Sequence, residues 1–494
     1  MSNQTAVNET LIREVVEQVL GRLGQARVAP ANGNGGCALR SEAPRAVSAS
    51  RHFGVFQDAR EACEAAADAF AQLSKLGLAG RRKVIELVKE ISFANAEAWG
   101  KLELDETRIG RLDHKIEKLK GLRGVPGVEF LQPFAMSGDH GITLEEYAPF
   151  GVIGAVTPST HSIPTMACNI ISMAAAGNSV VFNPHPGAVK CAVAAARVFN
   201  EAIFGELGIE NLACVIEQPT LESFGAIAKN ENVKLLCVTG GPGVVKAAMS
   251  TGKRAICAGP GNPPVLVDET AEIERAARAV ILGGAYDNNL LCIGEKEVFV
   301  LDGVADAFMS ALEKNGAARI NAQQLERLTR EAFIFPEGQG GGCSHAAVSR
   351  QLIGRDASVL ARIAGARVPE GTQLLFAETD ANHLFVEEEQ MMPFVPIVRV
   401  RSVGEGIAAA KKAEHGYKHS AIIHSHNVSN MTAMGKALDT TLFIKNGACV
   451  AGLGSGGEGY SNFSIATTTG EGICTPRTFT RTRRCVLVDN LRIV

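Results

Sequence analysis

Cys292 stands in the run Asp287-Asn288-Asn289-Leu290-Leu291-Cys292-Ile293-Gly294-Glu295-Lys296, after a helical pattern ending in Gly283-Gly284 and before an apolar strand. A thiol brought from a polar loop to a strand entrance is placed differently from one inside a buried helix. Backbone N–H groups at such an entrance could lower its pKa or bind an oxyanion, which is the chemistry of a covalent nucleophile. The plainer reading is a buried cysteine at a strand start. Three loops have the composition of ligand-binding turns: Thr157-Pro158-Ser159-Thr160-His161, Asn183-Pro184-His185-Pro186-Gly187 and Thr239-Gly240-Gly241-Pro242-Gly243. The glycines of the third let backbone approach a ligand, and the helix that follows offers free N–H groups to a phosphate. The string is neither GxGxxG nor a Walker loop, and one such turn alone would only connect two elements. Three of them on successive strand ends point to a nucleotide.

The elements that must carry these loops follow from hydrophobic periodicity. Residues 57–74, 79–98 and 114–122 read as helices. Strands are expected at 151–156, 179–182, 212–216 and 233–238, alternating with helices at 163–176, 187–204, 221–229 and from 244. The alternation resumes after Pro264 with strand 265–267, helix 271–283, strand 297–301 and helix 304–314. Short apolar strands alternating with helices build parallel sheets covered on both faces, so two α/β domains are expected. No internal repeat at a fixed period is visible.

A chain of 494 residues exceeds one simple domain and has material for a large core. Forty-nine Lys+Arg against 52 Asp+Glu leave a formal charge of -3, which gives no global pull toward nucleic acid or an anionic membrane. The best candidate for a membrane span, residues 166–182, is broken by Asn169, Ser172, Gly177, Asn178 and Ser179, and no secretory signal is visible. The 12 cysteines form no CxxC pair and no zinc-finger spacing, so they read as buried reduced thiols of a cytosolic protein. His424 and His426 alternate as if on one strand face, but no third ligand is evident and no metal is expected. The arginines between Arg477 and Arg484 read as a solvated face or interface, and residues 338–343 as a loop.

The amino terminus carries a detached amphipathic unit. Leu11, Ile12, Val15, Val16, Val19, Leu20 and Leu23 form one helix stripe, and residues 24–50 read as a flexible linker. Such a helix either docks on its own molecule or inserts into a partner's groove, and the pattern leaves both open.

Several strings carry a family resemblance. They are Glu146-Tyr147-Ala148-Pro149-Phe150-Gly151-Val152-Ile153-Gly154, Pro158-Ser159-Thr160, Ala175-Ala176-Gly177-Asn178-Ser179 and Pro184-His185-Pro186-Gly187-Ala188. Further along come Thr239-Gly240-Gly241-Pro242-Gly243, Ala258-Gly259-Pro260-Gly261-Asn262-Pro263-Pro264 and Arg477-Thr478-Phe479-Thr480-Arg481-Thr482-Arg483-Arg484-Cys485. In this order, over roughly residues 51–494, the chain resembles the CoA-acylating branch of the aldehyde dehydrogenase superfamily. It is most similar to the propionaldehyde and acetaldehyde dehydrogenases of bacterial microcompartments. The resemblance implies an NAD-binding domain of residues 51–125 and 148–264 and a catalytic domain of 265–484. It also implies a small β oligomerisation element of 126–147 and 485–494, hence a homodimer or homotetramer. Residues 1–23 then look like an encapsulation peptide for a shell protein, which places the enzyme inside a microcompartment of the bacterial cytoplasm.

The same resemblance implies a mechanism and a set of site residues. Cys292 would attack the aldehyde, hydride would pass to NAD, and coenzyme A would take the acyl group from the resulting thioester. The Cys292 N–H would hold the oxyanion, and His161 either donates a second hydrogen bond or lines the substrate pocket. Thr157, Pro158 and Ser159 would lie along the dinucleotide, with Pro219 and Val244 flanking its adenine. Gly240, Gly241 and Gly243 would sit near the pyrophosphate, and Glu389 would contact the nicotinamide ribose. CoA would share the adenine pocket, giving ping-pong order. Asn183 stands where many relatives carry a ribose-binding lysine, which leaves NAD against NADP open. Ala258 stands where the hydrolytic branch has its general base, which favours CoA over water as acceptor. The rival readings are a hydrolytic aldehyde dehydrogenase making the free acid and a non-enzymatic compartment assembly protein.

Overall fold

The computed structural model describes residues 52–335 and 346–494. The amino-terminal stripe, the linker and the run at 338–343 lie outside them.

The chain enters through β1 (Val55–Phe56), a long helix α1 (Ala59–Ala94), α2 (Ala96–Thr107) and α3 (Leu112–Lys120). Asp58 caps α1 by accepting from the N–H groups of Arg60 and Glu61. The helix breaks at Gly77, whose φ of 58° and ψ of -148° are not helical. That is where the sequence pattern places the gap between its first two helices. A hairpin of β2 (Phe134–Gly138) and β3 (Gly141–Pro149) follows.

Strand–helix alternation then builds the first large sheet. Its elements are β4 (Val152–Thr157), α4 (Ser162–Ala175), β5 (Ser179–Pro184), α5 (Val189–Leu207), β6 (Ala213–Ile216), α6 (Leu221–Lys229), β7 (Val233–Thr239), α7 (Pro242–Met249) and β8 (Arg254–Ala258). The strands pair in parallel in the order β1-β6-β5-β4-β7-β8. From β4 the chain moves outward on one side to β5 and β6, then returns to build β7 and β8 on the other. The point where strand order reverses therefore lies between the carboxyl ends of β4 and β7, where open α/β sheets bind ligands.

The second sheet repeats the scheme. In chain order it uses β9 (Pro264–Val267), α8 (Ile273–Ala285), β10 (Glu297–Leu301), α9 (Asp302–Lys314), β11 (Ala318–Arg319), α10 (Ala322–Ala332) and α11 (Ala357–Ala364). It continues with β12 (Leu375–Thr379), β13 (Phe394–Val400), α12 (Val403–Ala413), β14 (Ser420–His424), α13 (Val428–Leu438) and β15 (Leu442–Lys445). Its seven parallel strands run β11-β12-β13-β10-β9-β14-β15. The doubly wound α/β architecture expected from periodicity is therefore present twice. The last strand, β16 (Thr480–Val488), pairs antiparallel with β3 to complete a three-stranded sheet β2-β3-β16. This sheet begins and ends differently from the sequence expectation: pairing starts at Thr480 against Pro149, so the arginine-rich run is itself strand. The arginines of β16 are exposed, as the reading of a solvated face or interface expects.

Two features hold the site's scaffold. Helix α4 is buried on every side, so its Ile, Met, Ala and Cys side chains pack all round rather than along one stripe. Asn178, after it, is saturated: its amide oxygen accepts from the N–H groups of Phe150 and Gly151, and its nitrogen donates to the carbonyls of Met173 and Phe479. It ties the entrance of β4, the end of α4 and the start of β16 together. Of the ten free cysteines among the described residues, eight are buried, Cys292 is half-buried and Cys485 is exposed. One sequence expectation fails here. His424 ends β14 and is buried, whereas His426 lies beyond the strand and is exposed, because Ser425 leaves the ladder to donate to Asp268. The two histidines do not share a strand face.

Candidate active site

A cavity of about 510 Å³ opens at the carboxyl ends of the first sheet. Parallel strands deliver their last residues to one edge, so Thr157, Pro184, Thr239 and Ala258 all reach it from β4, β5, β7 and β8. The first loop contributes Pro158, Ser159, Thr160 and His161, the third Gly240, Gly241 and Val244, and Pro219 closes one end. From the second half of the chain come Leu290, Cys292, Glu389 and Met391, and from the last fifth Phe463 and Ile465. Of the residues singled out from sequence, Gly243 is the one absent from the lining. It is the second residue of α7, and nothing lies within 4 Å of where its Cβ would be. Its value is an unobstructed first turn rather than contact through a side-chain gap.

The lining has features that fit a polar, phosphate-bearing ligand. Thr157 Oγ1, Thr239 Oγ1 and His161 Nδ1 are buried without a hydrogen-bond partner. Buried polar atoms rarely stay unpaired, so these three can take a hydrogen bond from a ligand or water in the cavity. Helix α7 starts at Gly241 without a side-chain cap, with Pro242 in its first turn, leaving the following N–H groups free to meet an anion.

The Cys292 loop is built by three consecutive left-handed residues, Asp287 (φ 49°), Asn288 (φ 56°) and Asn289 (φ 62°). Short Asp and Asn side chains tolerate this region best, which explains the sequence Asp-Asn-Asn. Each is then anchored. The Asp287 carboxylate pairs with Lys118 Nζ at 2.5 Å and accepts from the Arg111 N–H at 2.7 Å. Asn288 donates to the Gly354 carbonyl and the Asp356 carboxylate. Asn289 donates to the Glu295 carbonyl at 3.0 Å and accepts from Lys296 Nζ at 2.6 Å. Burial raises the Asp287 carboxyl, but Lys118 and Lys115 outweigh it and hold the group below its ordinary range. Lys115 in turn pairs with the buried Glu103, whose other oxygen accepts from the Ile163 N–H just after His161. A buried chain of charges thus braces both the His161 loop and the Cys292 loop. Gly261 completes the floor. A Cβ there would lie 2.5 Å from the Cys292 carbonyl oxygen and 2.8 Å from the His419 ring, so only glycine permits that approach.

Electrostatically the thiol differs from the sequence expectation. The residue opens partly to the cavity, but its sulfur is surrounded by protein. Burial pushes the thiol up to about 12, and the Glu389 carboxylate adds to the rise. Lys296 and the N–H groups of Cys292 and Ile293 pull it down without prevailing. The backbone effect expected from sequence is present; desolvation exceeds it. Burial likewise raises Glu389 to about 7. His161 is held well below its usual range, first by burial and then by Lys118, so it is a neutral imidazole. Its ring lies 5.5 Å from that of Phe463.

The comparisons with known proteins agree with this geometry. The family model described as the aldehyde dehydrogenase family matches residues 39–329. The acetylating acetaldehyde dehydrogenase of Salmonella typhimurium is 45% identical over 91% of this chain and 95% of its own. The chain belongs to the aldehyde dehydrogenase family. A second relative, the CoA-propanoylating propanal dehydrogenase of Salmonella typhimurium, is 38% identical over 99% of both chains. Among solved structures, the propionaldehyde dehydrogenase of Rhodopseudomonas palustris with bound propionyl-CoA is 41% identical, with a TM-score of 0.84 over 88% of this chain and 96% of that one. The propionaldehyde dehydrogenase of the Clostridium phytofermentans fucose utilisation microcompartment is 42% identical, with a TM-score of 0.86 over 89% of this chain and 100% of that one. Within this aldehyde dehydrogenase, motif reading missed Leu290, Met391, Phe463 and Ile465. They are ordinary apolar residues that no local signal marks; Leu290 stands two residues before Cys292, and only the fold brings the other three beside it. The buried Lys118 and Lys296 were missed for the opposite reason: lysine is presumed exposed.

Proposed function

We propose that this enzyme converts a short aliphatic aldehyde, NAD and CoA to acyl-CoA and NADH through a thioester on Cys292. The observation that carries the reading is the cavity that joins Cys292 to three strand-end loops, two of them bearing unpaired polar atoms, with Ala258 at the edge where the resemblance puts the hydrolytic branch's general base. The relatives above share the CoA-acylating activity by name. Another structure of the Rhodopseudomonas palustris enzyme holds CoA and an acylated cysteine.

The residues divide the work as follows. Cys292 loses its proton, and its sulfur bonds to the aldehyde carbon as the carbonyl electron pair moves onto oxygen. The Cys292 N–H donates to that oxygen, with His161 as the proposed second donor. NAD, when bound, supplies the acceptor for the hydride. Thr157, Pro158, Ser159, Gly240, Gly241, Val244 and Pro219 would hold it, and Glu389 would meet its nicotinamide ribose. Gly243 serves by leaving the α7 terminus open. The CoA thiol then attacks the thioester, and the Cys292 sulfur leaves, taking up the proton that the CoA thiol gives up. Propionaldehyde and acetaldehyde differ by one methylene, worth about 1–3 kcal/mol in a pocket, so both are substrates in this reading.

The proposed division into domains places the dinucleotide on residues 51–125 and 148–264 and the nucleophile on 265–484. The third sheet exposes Phe134, Met136, Val486 and Val488, an apolar face suited to a second copy of the chain. Residues 1–23 are proposed to engage a microcompartment shell protein in the bacterial cytoplasm. Among the described residues no helix is long and apolar enough to cross a membrane.

The test is NADH formation from each aldehyde and NAD, with and without CoA, beside Cys292→Ala. Sustained turnover that needs both CoA and Cys292 is the expected result. Sustained turnover without CoA would mean that water is the acceptor, with Glu389 the first carboxylate to suspect as its base.

A further inference from the structure

Lys296 is fully buried, four residues after the nucleophile. Its ammonium donates to the Asn289 carbonyl at 2.8 Å, the Asn289 side-chain oxygen at 2.6 Å and the Leu291 carbonyl at 3.1 Å. Three acceptor oxygens around one nitrogen require three protons, which is the charged form; a neutral amine has only two to give. None of the three acceptors is an anion. A buried cation whose hydrogen bonds all go to neutral dipoles is costly, and such a cost is tolerated where the charge has a use.

The geometry supplies the use. The Leu291–Cys292 peptide is trans, so its C=O and N–H point in opposite directions. Pulling the Leu291 carbonyl toward Lys296 therefore turns the Cys292 N–H to the side of the peptide facing away from Lys296. The N–H groups of Cys292 and Ile293 both favour the ionised thiol, though burial outweighs them. Gly294 permits the tight return, since a Cβ there would lie 2.7 Å from the Asn289 side-chain oxygen.

We infer that Lys296 is the positioning residue of the nucleophile turn: it aims the Cys292 N–H at the developing oxyanion, and its charge balances the thiolate. This rests on the thioester chemistry proposed for Cys292.

The other charged groups nearby do not replace it. Glu389 faces both Cys292 and Lys296 and opposes ionisation of the thiol. Glu297 and Glu295 are raised by burial and so are poor counter-ions; Glu295 instead accepts from the Cys449 N–H. His419 is depressed to about 3 by burial and by Lys296 itself, and stays neutral. Burial also lowers Lys296, and Glu389 and Cys292 act against that.

The experiment is alkylation of the full chain by iodoacetamide, followed site by site by mass spectrometry between pH 7 and 9, without substrates. Wild type is compared with Lys296→Met and Lys296→Gln, each checked for wild-type circular dichroism and elution volume. The glutamine keeps two of the three N–H donors and removes the charge, so it carries the comparison if the methionine variant does not fold. The exposed Cys485 is the reference within the same molecule. The expected result is a roughly tenfold or greater fall in Cys292 alkylation at every pH, as one unit of thiol pKa would give, with Cys485 unchanged. In turnover, kcat falls while KM for the aldehyde stays within about threefold. Cys292 alkylation within twofold of wild type in a folded variant would overturn the assignment. Failure of the thioester reading would look different: wild-type turnover would not need Cys292, whatever the alkylation rates.

Discussion

Burial keeps the His161 imidazole neutral, and the charges of Lys118 and Lys115 push the same way. A neutral imidazole can donate one hydrogen bond, and Nδ1 has no partner in the protein. If it serves the oxyanion, His161→Ala lowers kcat by about 10²-fold with little change in KM, the usual cost of one such donor. If it only lines the pocket, KM for the aldehyde moves and kcat does not; steady-state kinetics with propionaldehyde separates the two. His161→Asn, which restores an amide donor, recovers most of the loss in the first case. The prediction also has a pH signature. No activity limb should belong to His161, whereas a limb near 7 should belong to Glu389 and vanish in Glu389→Gln.

At the scale of elements, helix α3 deserves the closest test. It sends Lys115 and Lys118 into the protein, where they meet Glu103 and Asp287 with almost no exposure on any side chain. Removing one member of such a pair leaves the other buried and unpaired. Lys118→Met should therefore cost about 3–5 kcal/mol in denaturant unfolding, and the double change Lys118→Met, Asp287→Asn should recover part of it. Equal loss in single and double variants would mean that Asp287 matters through the Arg111 N–H alone. The sequence showed α3 as a helix and Asp287 as a loop residue, about 170 positions apart. Their pairing was not visible, because the spacing within each segment says nothing about which distant segment packs on it. Helix α6 and strand β10, by contrast, have the bounds that periodicity predicts, 221–229 and 297–301, since local pattern and burial agree there.

For the whole molecule, pH and assembly are the accessible variables. Glu295, Glu297 and Glu389 are all raised by burial, Glu295 and Glu389 to about 7. Below the unfolded carboxyl pKa of about 4.5 both states hold these protons, so no penalty arises. As pH rises from there through the folded values, the unfolded chain loses protons first and stability falls. Glu297, with neither oxygen partnered, isolates the effect. Glu297→Gln should raise the melting temperature at pH 8, and the gain should shrink toward pH 5. A gain independent of pH would assign the effect to packing. Deleting residues 1–50 should leave CoA-dependent turnover within about twofold while abolishing capture by shell protein; loss of turnover instead would make the helix part of the fold. Val486→Glu with Val488→Glu should reduce the mass measured by light scattering if the third sheet pairs two copies.

Sequence alone determined what depends on neighbours along the chain: the strand–helix alternation and the glycine turns at strand ends. The family resemblance also put Cys292 at the nucleophile position, the role proposed for it above. Tertiary structure decided everything that depends on distance through space. It set the strand order that makes β4 and β7 adjacent and so creates the cavity. It placed Phe463 beside His161. It also reversed the expected direction for the thiol, because burying a charge costs more than two backbone N–H groups return. Lys296 shows the division most clearly. Its position four residues after the cysteine is plain in the sequence, but its burial, its three carbonyl partners and hence its charge exist only in the folded turn.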